Sequence, residues 1–122
     1  MNELKVFEKN GQLLTDSREV AKMIGKEHFH LMRDISSYMK VLNGIETEDS
    51  DESKIGFVKN SRLKIKPSDF FLESTYLDGK GEIRPCCLLT KKGCDMVANK
   101  LTGQKGVLFT AAYVTAFEQM RE

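Results

Sequence analysis

Residues 17–35 constrain the fold more than any other segment, because their pattern predicts two amphipathic helices separated by a single glycine. Asp16 can cap the first helix, with Glu19 three residues later in the capping-box position. Gly25 can end it, since glycine readily adopts a positive φ. The apolar residues of this first helix share one side: Val20, Ala21, Met23 and Ile24. Two helices joined by a tight glycine turn are typical of a helix-turn-helix.

The second predicted helix, from about 26 to 42, has two chemically different sides. At 100° per residue, Leu31, Ile35, Tyr38 and Leu42 fall on one side. The opposite stripe is roughly 80° wide, basic or uncharged-polar, and without a carboxylate. It consists of Lys26, His30, Arg33, Ser37 and Lys40. A helix that lies in the major groove of DNA needs this division, but an ordinary amphipathic helix with a solvated face also shows it.

Individual residues of this stripe suit different parts of a duplex. Arg33 could contact a guanine edge, whereas Lys26 and Lys40 suit phosphates. His30 belongs to the stripe and is the histidine that we expect to face DNA. His28 falls near the apolar side, where we expect a packed, hydrogen-bonded residue.

Two hairpins are predicted from turn chemistry. Asn10-Gly11 lies between short apolar stretches, which predicts strands near 4–8 and 12–15. A second hairpin is predicted over 70–89, with its turn at 78–81 and with Pro85 indicating an edge strand or a bulge. Lys80 and Arg84 could reach a groove or the phosphates, as a wing does, or the hairpin could simply complete a small sheet.

The C-terminal third predicts two more helices. Thr90 can cap the first of them. The second is expected from about 105 to 120, and its apolar residues extend beyond a single face, so it is a candidate homodimer contact. The predicted fold is therefore α+β, a winged helix-turn-helix-like single domain over 1–122 with about four helices, an N-terminal β-hairpin and a second hairpin as the wing.

Charge is unevenly distributed along a chain whose net charge is only +1. Residues 43–53 contain five acidic side chains and no basic one, and residues 54–66 contain five basic side chains and no acidic one. This alternation of charge blocks is typical of a mobile connection. We therefore predict a flexible insertion at 43–66.

Several classes of protein are disfavoured by what the sequence lacks. No apolar run approaches the roughly 20 residues needed to span a bilayer, and the N-terminus has no apolar signal segment, so a cytoplasmic protein is expected. The three cysteines form no C-x-x-C pair, which gives no reason to expect a metal. No nucleophile lies at a recognisable spacing from a histidine and a carboxylate, and no phosphate-binding glycine loop is present, so neither catalysis nor a cofactor is expected.

Two stretches resemble the phage regulatory Rha family: DSREVAKMIGKEHFHLMRDI, and the longer segment from PSDFFLESTYL to FTAAYV, residues 67–114. Residues in the matching helix-turn-helix are Gly25, Lys26, His28, Arg33 and Asp34. Those in the hairpin and the helix after it are Phe70, Glu73, Ser74, Tyr76, Arg84, Pro85, Thr90, Lys91, Lys92 and Gly93. The resemblance implies a phage- or prophage-encoded regulator related in role to antirepressors. It also implies modular relatives, of which this chain would be either a short member or the N-terminal domain.

Two functions remain open from the sequence. The first is a transcription regulator that reads double-stranded DNA through the helix at 26–42, supported by the wing. The second is an antirepressor that binds a phage repressor or a host regulator through protein–protein contacts.

Overall fold

The computed structural model describes residues 3–46 and 65–121. The strands are β1 (Phe7–Lys9), β2 (Gln12–Asp16), β3 (Phe71–Leu77) and β4 (Ile83–Leu89). The helices are α1 (Ser17–Ile24), α2 (His28–Glu46), α3 (Lys91–Asn99) and α4 (Gly103–Arg121), and a 3₁₀ turn covers Pro67–Asp69. Four helices and two β-hairpins in this part of the chain confirm the predicted α+β fold. Most of the predicted flexible insertion, residues 47–64, lies outside the described residues.

The N-terminal hairpin follows its turn residues. Asn10 and Gly11 both have positive φ, 54° and 79°, and Lys9 pairs with Gln12 across them. A two-residue turn of this kind matches the twist of the strands that it joins. The predicted turn and second strand are confirmed, whereas β1 is shorter than the predicted strand near 4–8 and begins only at Phe7.

Helix α1 begins after Asp16 and ends at Gly25, where the turn to α2 forms. The Asp16 side chain accepts a hydrogen bond from the Arg18 backbone N–H at the start of α1. Gly25 ends α1 in the left-handed conformation, with φ 70°, and its N–H donates to Lys22 O. Both predicted boundaries of α1 are confirmed.

Helix α2 differs from the prediction at both ends. It begins at His28, after Lys26 and Glu27, and it continues through Asn43-Gly44 to Glu46. The predicted end near 42 is wrong. Once a helix is nucleated, each further residue adds a hydrogen bond, which offsets the roughly 1 kcal/mol penalty of one glycine.

The sheet has the order β1-β2-β4-β3 and is antiparallel throughout. Strand β2 pairs with β4 only at Leu88 and Leu89, so the rest of β4 has β3 alone as a neighbour. Pro85 lies in this open part, in regular register with Thr75, which confirms the predicted edge position without a bulge. Proline suits it, because no N–H is then left unpaired at the open edge.

Helices α3 and α4 close the core beneath the sheet. The Thr90 hydroxyl accepts the Gly93 N–H, which confirms the predicted cap. Helix α4 buries Phe109, Tyr113 and Phe117, and the Tyr113 hydroxyl donates to the Asp95 carboxylate. Helix α4 runs from Gly103 to Arg121, so it is slightly longer at both ends than the predicted helix from about 105 to 120. One cluster of buried side chains joins the four helices to the sheet, including Val20, Leu31, Ile35, Phe71, Leu89, Cys94 and Phe109. None of the helices in the described residues is long and apolar enough to cross a membrane.

Candidate nucleic-acid interface

Helix α2 separates a buried face from an exposed one, as its sequence predicts. Leu31, Ile35 and Leu42 are buried in the core. Arg33 and Lys40 are exposed on the opposite side, and neither forms an ion pair with any described residue. We call this side the outward face of α2; it consists of Phe29, His30, Arg33, Ser36, Ser37 and Lys40. Two cations on it are therefore available to a ligand.

Lys26 forms an ion pair, unlike Arg33 and Lys40, although the helical wheel placed all three residues in one stripe. It lies in the turn before α2, and its Nζ is 2.8 Å from Asp34 Oδ2. The pair joins the turn to the second turn of the helix. The charge of Lys26 is thus balanced within the chain, which makes it a residue that orients α2 and weakens the prediction that it contacts phosphate.

Two polar members of the face also have internal contacts. The Ser37 hydroxyl donates to the Arg33 backbone carbonyl, at 3.3 Å, a common arrangement for serine inside a helix. His30 is half-buried, and its ring lies 4.1 Å from the ring of Phe29. Both side chains stay on the predicted side of the helix.

Phe29 is the residue that the sequence analysis missed. Its side chain is 64% exposed, and it lies in the first turn of α2. The helical wheel carries the signal, because Phe29 and Arg33 are four residues apart and so lie about 40° apart. Phe29 lies between His28 and His30 in the sequence, and a phenylalanine is more often a core residue than an exposed one.

Polar and aromatic contacts around Ser17 hold the start of α2 to the second hairpin, β3–β4. The Ser17 hydroxyl accepts the Cys87 backbone N–H, at 3.0 Å, and lies 2.8 Å from His28 Nε2. The His28 ring meets the Tyr76 ring edge-on, at 6.1 Å between centroids. The predicted packed, hydrogen-bonded role of His28 is confirmed. We call these residues, together with Asp16 and Arg18, the anchor cluster.

Charges in the anchor cluster are held by their partners. The Arg18 guanidinium lies 3.9 Å from the centre of the Tyr76 ring and pairs with Asp16. Burial raises the pKa of Asp16, but its hydrogen bonds from Arg18 outweigh burial and hold that pKa below its ordinary value. Burial lowers the pKa of His28, and the negative charge of Asp16 opposes this only in part. The lowered pKa favours the neutral ring.

The anchor cluster contains a serine beside a histidine, yet it does not have the form of a nucleophilic site. Ser17 is fully buried, and its oxygen already accepts a backbone N–H. A nucleophilic hydroxyl has to be reachable by substrate. Cys86, Cys87 and Cys94 are buried too, and burial raises the pKa of Cys87 to about 11. Within residues 3–46 and 65–121, no three metal-binding side chains lie close enough together to hold an ion.

The far end of the second hairpin is closed upon itself. The Asp78 carboxylate accepts the backbone N–H groups of Lys80 and Glu82, which fixes the turn. Arg84 Nε lies 2.9 Å from Asp78 Oδ2, and Arg84 Nη2 lies 3.1 Å from Glu82 Oε1. The hydrogen bond from Arg84 lowers the pKa of Asp78 and raises the pKa of Arg84. We call residues 77–84 the hairpin tip.

Of the two predicted wing residues, Lys80 is exposed and has no ion-pair partner among the described residues, whereas Arg84 is engaged by two carboxylates. The tip also exposes a pair of apolar side chains. Leu77 and Ile83 face each other across the strands and are 68% and 71% exposed. The tip is therefore nearly neutral and partly apolar, which weakens the prediction that Arg84 contacts phosphates.

The start of α2 and the hairpin tip lie at the same end of the molecule, because His28 contacts Tyr76, one residue before the tip. Helix α2 then runs back along the hairpin, so that Tyr38 reaches Phe71 at its base. Two helices with a tight turn and a neighbouring hairpin form a small α+β module that is compatible with the winged helix-turn-helix class.

Residues 15–122 match the family model described as phage regulatory protein Rha, and the chain belongs to that family. This confirms the resemblance seen in the sequence. The chain is 49% identical over 119 residues to the SPbeta prophage-derived protein YoqD of Bacillus subtilis (strain 168), which is named as an antirepressor. That alignment covers 98% of this chain and 40% of the relative.

A second relative is an uncharacterized protein of Haemophilus influenzae (strain ATCC 51907 / DSM 11121 / KW20 / Rd). It is 28% identical over 119 residues, covering 98% of this chain and 57% of the relative. The chain thus spans about half the length of the curated relatives that it matches. No solved structure matches the chain significantly.

Proposed function

We propose that this phage regulatory protein binds double-stranded DNA through the outward face of α2. The observation that carries the proposal is the free charge on that face. Arg33 and Lys40 are exposed without ion-pair partners among the described residues, while Asp34, the nearest carboxylate on the helix, is neutralised by Lys26. A polyanion therefore meets net positive charge here.

Each residue of the face has a role that its chemistry suits. Arg33 presents a planar fork that can bind both acceptors of a guanine edge in the major groove. Lys40 lies about two turns further along and suits a phosphate. His30 and Ser37 can add hydrogen bonds to bases or to the backbone. Lys26 holds the turn, and Lys80 at the hairpin tip is the wing residue left free to reach a phosphate.

The test has two stages. The protein is first used to select duplexes from a random pool, and the enriched sequence is then labelled for fluorescence anisotropy over a range of salt concentrations. We expect affinity to fall with salt, because phosphate contacts release counterions. Lys40→Ala should weaken binding to all sequences alike and reduce the slope of log K against log salt by about 1.

Lys92→Ala is the matched control, because Lys92 is an exposed lysine on α3 that lines a surface formed by α3 and α4 and not by α2. It removes the same charge and should leave the salt slope unchanged. An affinity that does not depend on salt would contradict the proposal, as would equal effects of the two lysine substitutions.

A second candidate function has its own supporting observation. The exposed pair Leu77 and Ile83 gives the hairpin tip an apolar surface of the kind that protein partners cover. One relative is named as an antirepressor. In this alternative the chain binds a phage repressor or a host regulator. Leu77→Thr with Ile83→Thr should then abolish binding to the purified repressor of the same phage, and Arg33→Ala should leave that binding intact.

We also propose that α4 can join two copies of the chain. Val107, Leu108 and Met120 are exposed on it. Light scattering should report a dimer that Leu108→Glu converts to a monomer. A monomer at high concentration in the unaltered protein would exclude this contact.

The remaining proposals concern the chain as a whole. We infer that it forms one domain of a longer cytoplasmic regulator, with no catalytic role of its own. The buried residues of both described ranges share one core, which supports a single domain. A single calorimetric transition, with equal calorimetric and van't Hoff enthalpies, is the expected result.

A further inference from the structure

We propose that Phe29 contacts the 5-methyl group of a thymine in the duplex that α2 binds, so that the recognised site contains a thymine at a fixed position. This inference rests on the proposed function, and it adds a base preference to it. It makes Phe29 a residue that determines specificity, beside Arg33.

The position of Phe29 on the helix is the first argument. It is the second residue of α2, and the N-terminal residues of a reading helix are those that reach base edges. Its side chain is 64% exposed and lies on the same side as Arg33. The core positions of this part of α2 are filled by Leu31 and Ile35, so Phe29 has no place in the core of its own chain.

The local contacts of Phe29 are the second argument. The ring lies against His30, with 4.1 Å between the centroids, so its freedom is already restricted before any ligand binds. A side chain that is held in place loses less conformational entropy on binding than a free one. One side of the Phe29 ring is therefore already covered by His30, and its other side is open to a partner.

The charges nearby identify the partner. Arg33, one turn further along, is free of ion pairs among the described residues, and Asp34 is neutralised by Lys26. An exposed apolar ring beside a free arginine suits a ligand that has an anionic backbone and also presents an apolar group. In the major groove of DNA that apolar group is the methyl group of thymine, and contact with phenylalanine is one way of reading it.

Val41 supplies a matched control on the same helix. It is 62% exposed, similar to Phe29, but it lies three turns further along and about 80° from Arg33 around the helix axis. General apolar exposure of α2 would make both residues matter for DNA binding. A thymine contact at the start of the helix involves Phe29 alone.

The experiment uses the duplex enriched by the selection described above. Each thymine is replaced, one at a time, by deoxyuridine, which lacks the methyl group and keeps the base pair, and affinity is measured by anisotropy. At one position the unaltered protein should lose about three- to fivefold in affinity, the effect of uncovering one methyl group. Phe29→Ala should bind the thymine duplex more weakly and lose nothing further on deoxyuridine substitution. Val41→Ala should keep the full deoxyuridine penalty.

The outcomes separate this inference from the proposed function. If the protein enriches no duplex, the proposed function fails and the inference fails with it. If it enriches a duplex but tolerates deoxyuridine everywhere, or if Phe29→Ala shows the same penalty, only the inference is overturned. A Phe29→Ala variant that binds DNA normally but loses a protein partner would assign Phe29 to protein contacts and also overturn it. Circular dichroism of each variant establishes that it is folded.

Discussion

The outward face of α2 and the hairpin tip each expose one arginine, and the two arginines are in opposite situations. Arg33 has no ion-pair partner among the described residues, whereas Arg84 is bound by Asp78 and Glu82. In the sequence both were candidate contacts to DNA. Under the proposed function, Arg33 can meet DNA directly, whereas Arg84 would first have to give up its contacts with two carboxylates.

The two surfaces also differ in how they are built. The face of α2 is an ordered helix surface whose orientation comes from Leu31 and Ile35 on its buried side. The tip is a turn fixed by the Asp78 carboxylate. The anchor cluster joins them, so a change there should affect both.

The largest expected effect comes from the buried side of α2. Ile35→Ala should lower the free energy of unfolding by about 2–5 kcal/mol, because a fully buried isoleucine is replaced and a cavity is left behind. Urea denaturation measures this. Ser36→Ala, the next residue and an exposed one, should change it by less than about 0.5 kcal/mol. Similar values for the two variants would mean that α2 is not packed as described.

Removing the connection between the two surfaces should have the next largest effect. Ser17→Ala leaves the buried Cys87 N–H without its acceptor and His28 without its partner, at a cost of about 1–3 kcal/mol. Ser37→Ala is the control, since Ser37 is exposed and bonds only within its own helix. If Ser17→Ala were as stable as the unaltered protein, the anchor cluster would not hold the hairpin to α2.

Acidification should loosen the same connection by a smaller amount. The pKa of His28 is lowered in the folded chain by burial, so the unfolded chain binds the proton more tightly. Stability should be constant well above 6.5, the ordinary pKa of histidine, and should fall as the pH drops below it. Chemical denaturation at about pH 7.5 and about pH 5.5 should show this fall.

His28→Asn should reduce the loss of stability on acidification, because the group that gains the proton is absent. His30→Gln should keep it, since His28 remains. The opposite order would assign the pH dependence to the outward face of α2 instead of the anchor cluster.

Local signals in the sequence were sufficient for much of the fold. Asp16, Gly25 and Thr90 set helix boundaries through hydrogen bonds to residues a few positions away, and Asn10-Gly11 sets its own turn. The end of α2 could not be predicted in this way. Its continuation through Asn43-Gly44 depends on the helix already formed before them.

The sequence predicted which side of α2 is exposed, but it did not predict which of the basic side chains are paired with carboxylates. The wheel placed Arg33 and Lys40 on the exposed side of α2 correctly. The pairing of Arg84 with Asp78 depends on the register of the hairpin, and the pairing of Lys26 with Asp34 depends on the path of the turn. Neither is visible in a list of basic residues. The exposed position of Phe29 does follow from the wheel, since Phe29 lies about 40° from Arg33.

The most direct test of this account compares Arg33→Ala with Arg84→Ala in binding to the selected duplex. Both variants remove one exposed arginine, so the overall charge changes equally. We expect Arg33→Ala to weaken binding by about 1–3 kcal/mol and to relax the preference at one base pair, while Arg84→Ala changes affinity by less than about 0.5 kcal/mol. Equal losses from the two variants, or a larger loss from Arg84→Ala, would contradict the claim that the free charge on α2 forms the DNA-binding surface.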